Sequence, residues 1–184
     1  MHGKALIFSA PSGSGKTTIV HHLLKVFPQL QFSISATTRK PRENEIDGTD
    51  YYFLSTEQFK SSEFVESEEV YPGKYYGTLK PEVERIWAKG GVVVFDVDVK
   101  GGVNLKNYFG EKALAVFVKA PDIDVIRKRL IDRGTETIES LATRMDRIKF
   151  EMTFEKQFDE VLINDDLPRA LLESEKTVNE FLKA

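Results

Sequence analysis

The sequence predicts an α/β fold: a parallel five-stranded sheet with helices on both faces. Three observations predict it. Short apolar runs alternate with amphipathic stretches of about ten residues or more, the pattern of strand–helix–strand units. The runs are nearly continuous rather than alternating in polarity, as strands buried on both sides must be. The first run also passes through a glycine-rich turn directly into a helical pattern.

The apolar runs lie at 5–8, 32–36, 92–95, 113–118 and 161–163. Ile19, Val20, Leu23, Leu24 and Phe27 recur at helical spacing after the first run, and Pro28 stops that helix. Residues 38–76 break the pattern with strand-like pieces at 51–54, 64–70 and 75–78, and read as a small β insertion. Pro81 suits a first helical position, and Gly90-Gly91 suits the end of the same helix. Asp122 is placed to cap a helix over 123–130, and Thr137 a longer one reaching about Phe154. Between them, 132–137 carries an Arg-Gly turn that reads as a mobile flap.

A length of 184 residues allows one domain. With 26 basic and 29 acidic residues the formal charge is −3, which argues against a protein that coats nucleic acid. Positive charge for a phosphate ligand must then be local. A hydrophobic content of 41% with 30% charged residues is that of a folded, soluble chain. The absence of cysteine excludes disulfides, thiolate metal sites and a cysteine nucleophile. No apolar run approaches the ~18 residues of a membrane span, and no secretory leader is evident, so a cytoplasmic protein is expected.

The turn Ala10-Pro11-Ser12-Gly13-Ser14-Gly15-Lys16-Thr17 has the context of a phosphate-binding loop. Glycines let the backbone curl so that its N–H groups point inward, and the helix N-terminus adds partial positive charge. Lys16 is placed for the β- and γ-phosphates, and the Thr17 hydroxyl for Mg²⁺. Ala10 stands where such loops usually begin with glycine, which predicts a slightly different backbone at that end. The run at 92–95 ends in Asp96, an acid delivered toward the metal region, with Asp98 on the same side if the strand continues. Either acid could approach the ion, directly or through water.

The insertion contains Ser35-Ala36-Thr37-Thr38-Arg39-Lys40-Pro41-Arg42-Glu43-Asn44-Glu45, followed by Asp47-Gly48 and Asp50-Tyr51-Tyr52-Phe53. On that run the chain closely resembles the guanylate kinases, and the resemblance extends from Leu6 to about Leu182. Further landmarks are Asp96-Val97-Asp98 with Gly101, Arg129-Leu130 with Arg133-Gly134-Thr135, and Asn164-Asp165-Asp166-Leu167.

The resemblance implies a P-loop NTPase core at about 1–32, 80–125 and 156–184. It implies a GMP-binding insertion at about 33–79 and a helical lid at about 126–155. It implies Mg²⁺-dependent transfer of the ATP γ-phosphoryl group to GMP, with ADP and GDP as products; use of dGMP and the oligomeric state stay open. ATP would be held by Ser12, Gly13, Ser14, Gly15, Lys16, Thr17 and Thr18, with Arg129 beside the adenine and Asn164 near the adenine and ribose. Arg39 and Arg42, with the hydroxyls of Tyr51 and Tyr76 and with Glu45 nearby, match the clamp on the GMP phosphate, where a planar guanidinium grips two oxygens. Glu66 matches the guanine-reading carboxylate, which accepts from N1 and N2 and so rejects adenine. Ser35 and Thr78 match hydroxyls near O6, and Asp98 an acid between base and metal. The stretch 66–74 is one residue longer than the commonest family spacing, which keeps Glu69 as an alternative reader. Arg133 and Arg144 match lid arginines. Arg147 reads as a helix-surface partner of Asp146 and Glu151.

A phosphate monoester is mostly dianionic at neutral pH, so the acceptor needs no strong general base. Catalysis would instead rest on screening two polyanions by Lys16, Mg²⁺, Arg39, Arg42, Arg133 and Arg144. Exclusion of water predicts that the insertion and the flap close over the core. Two rivals remain: a non-catalytic binding module of the same fold, and a P-loop kinase for another phosphorylated acceptor.

Overall fold

The computed structural model describes residues 3–132 and 138–184. Five parallel strands run in the order β2-β7-β1-β8-β9: β1 (Ala5–Ser9), β2 (Leu30–Phe32), β7 (Val92–Val97), β8 (Ala113–Lys119) and β9 (Glu160–Ile163). The continuous apolar runs have the predicted cause. Leu6, Phe8, Val94, Val116 and Val118 pack against α1 (Lys16–Val26) and α7 (Leu167–Lys183) on one face. Ala5, Ile7, Val93, Phe95, Ala115 and Phe117 pack against α3 (Lys80–Ala88) and α4 (Val99–Phe109) on the other. This period-two division leaves both faces of β1 fully buried. Burial on that scale, at roughly 25 cal/mol per Å² of apolar surface, is the main source of stability for the core.

The second strand differs from expectation. The run at 32–36 spans two sheets: β2 ends at Phe32, and β3 (Ala36–Thr37) opens the second sheet. That sheet has the order β4-β3-β6-β5, with β4 (Tyr52–Phe53), β5 (Phe64–Tyr71) and β6 (Lys74–Leu79), so it is built wholly from the insertion. A short helix, α2 (Thr56–Ser61), precedes β5 and is closed by a reciprocal Ser55–Gln58 capping box.

Glu82 in the first turn of α3 joins insertion to core. It is 4% exposed and accepts from Ile34 N, the Tyr52 hydroxyl and the Arg85 guanidinium. Burial alone would raise its carboxyl, but these donors outweigh it and hold the group below its ordinary value.

Asp122 Oδ1 accepts from Asp124 N at the start of α5 (Ile123–Asp132), as predicted. Ile126 and Leu130 of α5 join Ala120 and Ile148 in a separate apolar cluster that fixes α6 (Ile138–Met152) to the core. Thr137, Arg133 and most of the expected flap lie outside the described residues.

Candidate active site

Parallel strands deliver their carboxyl ends to one edge, and ligands of such sheets bind where connections leave in opposite directions. Here β1 and β7 are in register with Phe8 opposite Asp96 and Ser9 opposite Val97. The turn after β1 and the acids after β7 therefore meet. Gly13 and Gly15 have φ of 86° and 91°, the left-handed conformation that glycine adopts without strain. No described residue other than glycine has positive φ, so Ala10 carries no left-handed backbone strain. Gly15 caps α1, whose N-terminus faces the cleft.

Lys16 Nζ lies 2.5 Å from Asp96 Oδ1 and donates to Val97 O at 2.6 Å. Thr17 Oγ1 donates to Asp96 Oδ2 at 3.3 Å. Two hard oxygens side by side beside a phosphate loop suit Mg²⁺ that keeps its waters and nucleotide phosphates as its other ligands. Asp98 is differently employed. The strand ends at Val97, and the Asp98 carboxylate accepts from Gly101 N at 2.8 Å as the N-cap of α4. It borders the cleft but does not project beside Asp96 from a continuing strand.

The phosphate loop, Asp96 and α6 enclose a cavity of about 740 Å³. Ser12, Gly13, Ser14, Gly15, Lys16, Thr17, Thr18 and Arg144 all line it. Arg129 and Asn164 instead support the loop from behind. Asn164, 4% exposed, donates from Nδ2 to Ser14 O, and Arg129 reaches Gly13 O and Asn164 O.

A second cavity of about 280 Å³ opens against the insertion, bordered by Ser35, Arg42, Tyr51, Glu66 and Tyr76. Thr78 is fully buried and donates to Glu66 Oε1 at 2.9 Å. Burial, opposed by the Thr78 bond and helped by neighbouring Asp98 and Glu68, pushes the Glu66 carboxyl up to about 7. The two alternative readers are differently placed. Glu69 is exposed and accepts from Gly73 N in the β5–β6 turn. Glu66 stands opposite Thr78, and the register shift between Glu69 and Tyr71 leaves that pairing untouched.

Arg39 lies behind this pocket. Its guanidinium forks onto Glu45 at 2.7 and 2.9 Å, its Nε donates to the Tyr76 hydroxyl at 3.2 Å, and it rests over the Tyr51 ring. The Arg39 bonds hold the Glu45 carboxyl down to about 2, and Glu45 in turn keeps Arg39 firmly protonated. Glu45 also accepts from Arg42 N, which ties the two arginine positions together. Burial raises the Tyr51 hydroxyl, so it is a neutral donor.

Asp96, Val97, Asp98 and Arg147 line both cavities. Helical spacing alone marks Arg147 as a surface ion-pair residue. The pair is real, Arg147 Nε to Glu151 Oε1 at 2.8 Å, but Glu151 is 7% exposed and lies in the cleft wall. Helical spacing gave the partner; only the docking of α6 reveals where the pair faces.

Residues 2–183 match the family model described as guanylate kinase. The chain is 51% identical over 183 residues to guanylate kinase of Bacteroides fragilis, covering 97% of this chain and 90% of that protein. It is 47% identical over 183 residues to guanylate kinase of Salinibacter ruber, covering 97% of each. The crystal structure of guanylate kinase from Anaplasma phagocytophilum superimposes with a TM-score of 0.73 at 25% identity, over 98% of this chain and 85% of that one.

Proposed function

Because the chain belongs to the guanylate kinase family, we propose that its two cavities are the ATP and GMP sites of a nucleoside monophosphate kinase. The observation that carries the reading is their common wall. A phosphate loop with Lys16 opens on one side of Asp96–Asp98, and a pocket with Arg42, Tyr51, Tyr76 and Glu66 opens on the other. A kinase for two nucleotides needs that adjacency, because donor and acceptor phosphates must meet in line.

Glu66 accepts from guanine N1 and N2, with Ser35 and Thr78 arranged around O6. Arg42, Tyr51 and Tyr76 hold the acceptor phosphate, while Glu45 keeps Arg39 and the loop around it in shape. An incoming phosphate would compete with Glu45 for the Arg39 fork. On the donor side the loop holds the triphosphate, Lys16 stabilises charge on the transferring group, and Arg144 approaches it from α6. Arg133 is assigned a lid role by resemblance. Thr17 and Asp96 would hold Mg²⁺, which, bound with ATP, neutralises the β- and γ-phosphates. Asp98 acts chiefly by capping α4 beside Glu66.

We divide the chain into a core, the insertion at about 33–79 and a lid at about 126–155, with the last two closing to exclude water. No described helix is long and apolar enough to cross a membrane. We place the enzyme in the cytoplasm, with ATP and GMP as its small-molecule partners.

The deciding experiment couples ADP release to a panel of acceptors. GMP should exceed AMP, CMP, UMP and dTMP in kcat/KM by about 10³ or more, since a site built to bond guanine donors leaves its carboxylate unpaired with the others. Equal rates with AMP would overturn the reading.

A further inference from the structure

The wall between the two cavities is rich in carboxylates. Asp96 and Asp98 line both, and Glu66 and Glu68 line the acceptor side. Two polyanionic substrates meeting there need a cation on the seam itself. Among the described residues, Arg147 is the cation that lines both cavities; Lys16 and Arg144 border the donor side and Arg42 the acceptor side.

Its position is built. Arg144 and Arg147 are three residues apart on α6, so they share a helix face. Ile148, 1% exposed, locks that turn into the Ala120–Ile126–Leu130 cluster and so sets the rotation of the helix. Glu151 then takes Arg147 Nε at 2.8 Å, fixing the plane of the guanidinium. Compare Lys149 and Asp146 on the same helix, 65% and 79% exposed, an ordinary solvated pair. A carboxylate as buried as Glu151 is costly to hold in place for a decorative surface contact.

We propose that Arg147 is a catalytic residue of the transfer step, oriented by Glu151, and that it contacts the phosphoryl group as that group passes from donor to acceptor. The proposal rests on the kinase reading above. In the step, an oxygen of the GMP phosphate forms a bond to the γ-phosphorus as the bond from that phosphorus to the β,γ-bridging oxygen breaks. The electron pair leaves on the ADP β-phosphate, and Arg147 neither gains nor loses a proton. A cation on the seam is worth most when charge is spread between the two sites, so its effect belongs to kcat rather than to the binding of either nucleotide.

The test compares wild type, Arg147→Gln, Arg147→Lys and Glu151→Gln. The readouts are kcat, both KM values, calorimetric affinities for ADP and GMP separately, and affinity for a bisubstrate probe of adenosine and guanosine joined by five phosphates. Arg147→Gln should lower kcat by about thirtyfold or more while each single-nucleotide affinity changes less than about threefold. The bisubstrate probe should lose at least about tenfold, more than either nucleotide. Arg147→Lys should recover part of kcat, and Glu151→Gln should lose less than Arg147→Gln. Melting curves identify any variant that has lost its fold, and the half-exposed Arg147 side chain makes the Lys variant a safe control. A Gln variant with kcat within about twofold of an active wild type overturns the role of Arg147 alone. A loss confined to GMP affinity overturns it too. A wild-type protein that makes no GDP overturns the kinase reading and this proposal together.

Discussion

The side-chain amide of Asn164 donates to the carbonyl of Ser14 at 2.7 Å, joining the end of β9 to the phosphate loop. Arg129 completes the brace by reaching Gly13 O and Asn164 O. Resemblance assigns Asn164 to the neighbourhood of adenine and ribose; in this geometry the amide nitrogen is committed to the loop. Asn164→Ala should therefore act through the phosphates. Leaving the Ser14 carbonyl without its partner costs about 1–3 kcal/mol. We expect roughly tenfold weaker binding of both MgATP and inorganic tripolyphosphate. Calorimetry checks it: a loss for ATP with tripolyphosphate unchanged would return Asn164 to the base.

The brace also marks how far the sequence could be read. The strand, loop and helix from Ala5 to Val26 are local, and propensity, glycine placement and Pro28 all agreed on them. The run at 32–36 sets Phe32, Ile34 and Ala36 against Ser33 and Ser35, and such a pattern does not tell which of two sheets a strand joins. Asp98 differed because a strand end and a helix cap look alike in sequence; the Gly101 N–H that it accepts decides it. The different placement of Glu66 and Glu69 needed strand register, which two shifts, between Phe64 and Glu66 and between Glu69 and Tyr71, obscure in the sequence. Arg147 needed the docking of α6. For the run at 32–36, for Glu66 and for Arg147 the missing information was long-range pairing; for Asp98 it was a local cap three residues away.

On the proposed reading, Glu66 makes the guanine site sensitive to pH. Burial raises its carboxyl from the ordinary 4.5 to about 7, and guanine requires the ionised form. KM for GMP should rise as pH falls below about 7, approaching tenfold per unit, with a proton released on binding near that pH. The stability effect has the opposite sense. The folded protein holds this proton more tightly than the unfolded chain, so the contribution is favourable below pH 4.5 and is lost as pH rises through 7. Glu66→Gln should thus stabilise the free protein at pH 8, by about 1–2 kcal/mol, while abolishing GMP selectivity. Denaturant melts at pH 5 and pH 8 test this; equal effects at both values would contradict it.

Glu82 should behave as a joint rather than a site residue. Its carboxylate satisfies Ile34 N, the Tyr52 hydroxyl and Arg85 from a nearly closed environment. Glu82→Ala leaves those donors unmatched and should cost about 2–3 kcal/mol of stability. Because the same bonds anchor the insertion, hydrogen exchange should accelerate across β3 and β4 more than in β1 or β8. Uniform acceleration over both sheets would show that Glu82 supports the whole fold instead.

Lys16 is paired with Asp96, which fixes its charge beside the phosphate loop. Removal has two separable consequences. The transferring group loses a cation that stabilises it most at the transition state, while the acceptor pocket, whose lining does not include Lys16, is left intact. Lys16→Ala should therefore lower kcat by about 10²-fold or more and change GMP affinity by less than about threefold. The carboxylate of Asp96 is then freed beside incoming phosphates, and its repulsion should weaken ATP binding as well. Lys16→Ala/Asp96→Asn, which removes that repulsion, should recover part of the affinity for ATP measured without Mg²⁺ and none of kcat. Recovery of both would mean that Lys16 serves only to neutralise Asp96, and that stabilisation of the moving phosphoryl group comes entirely from the arginines.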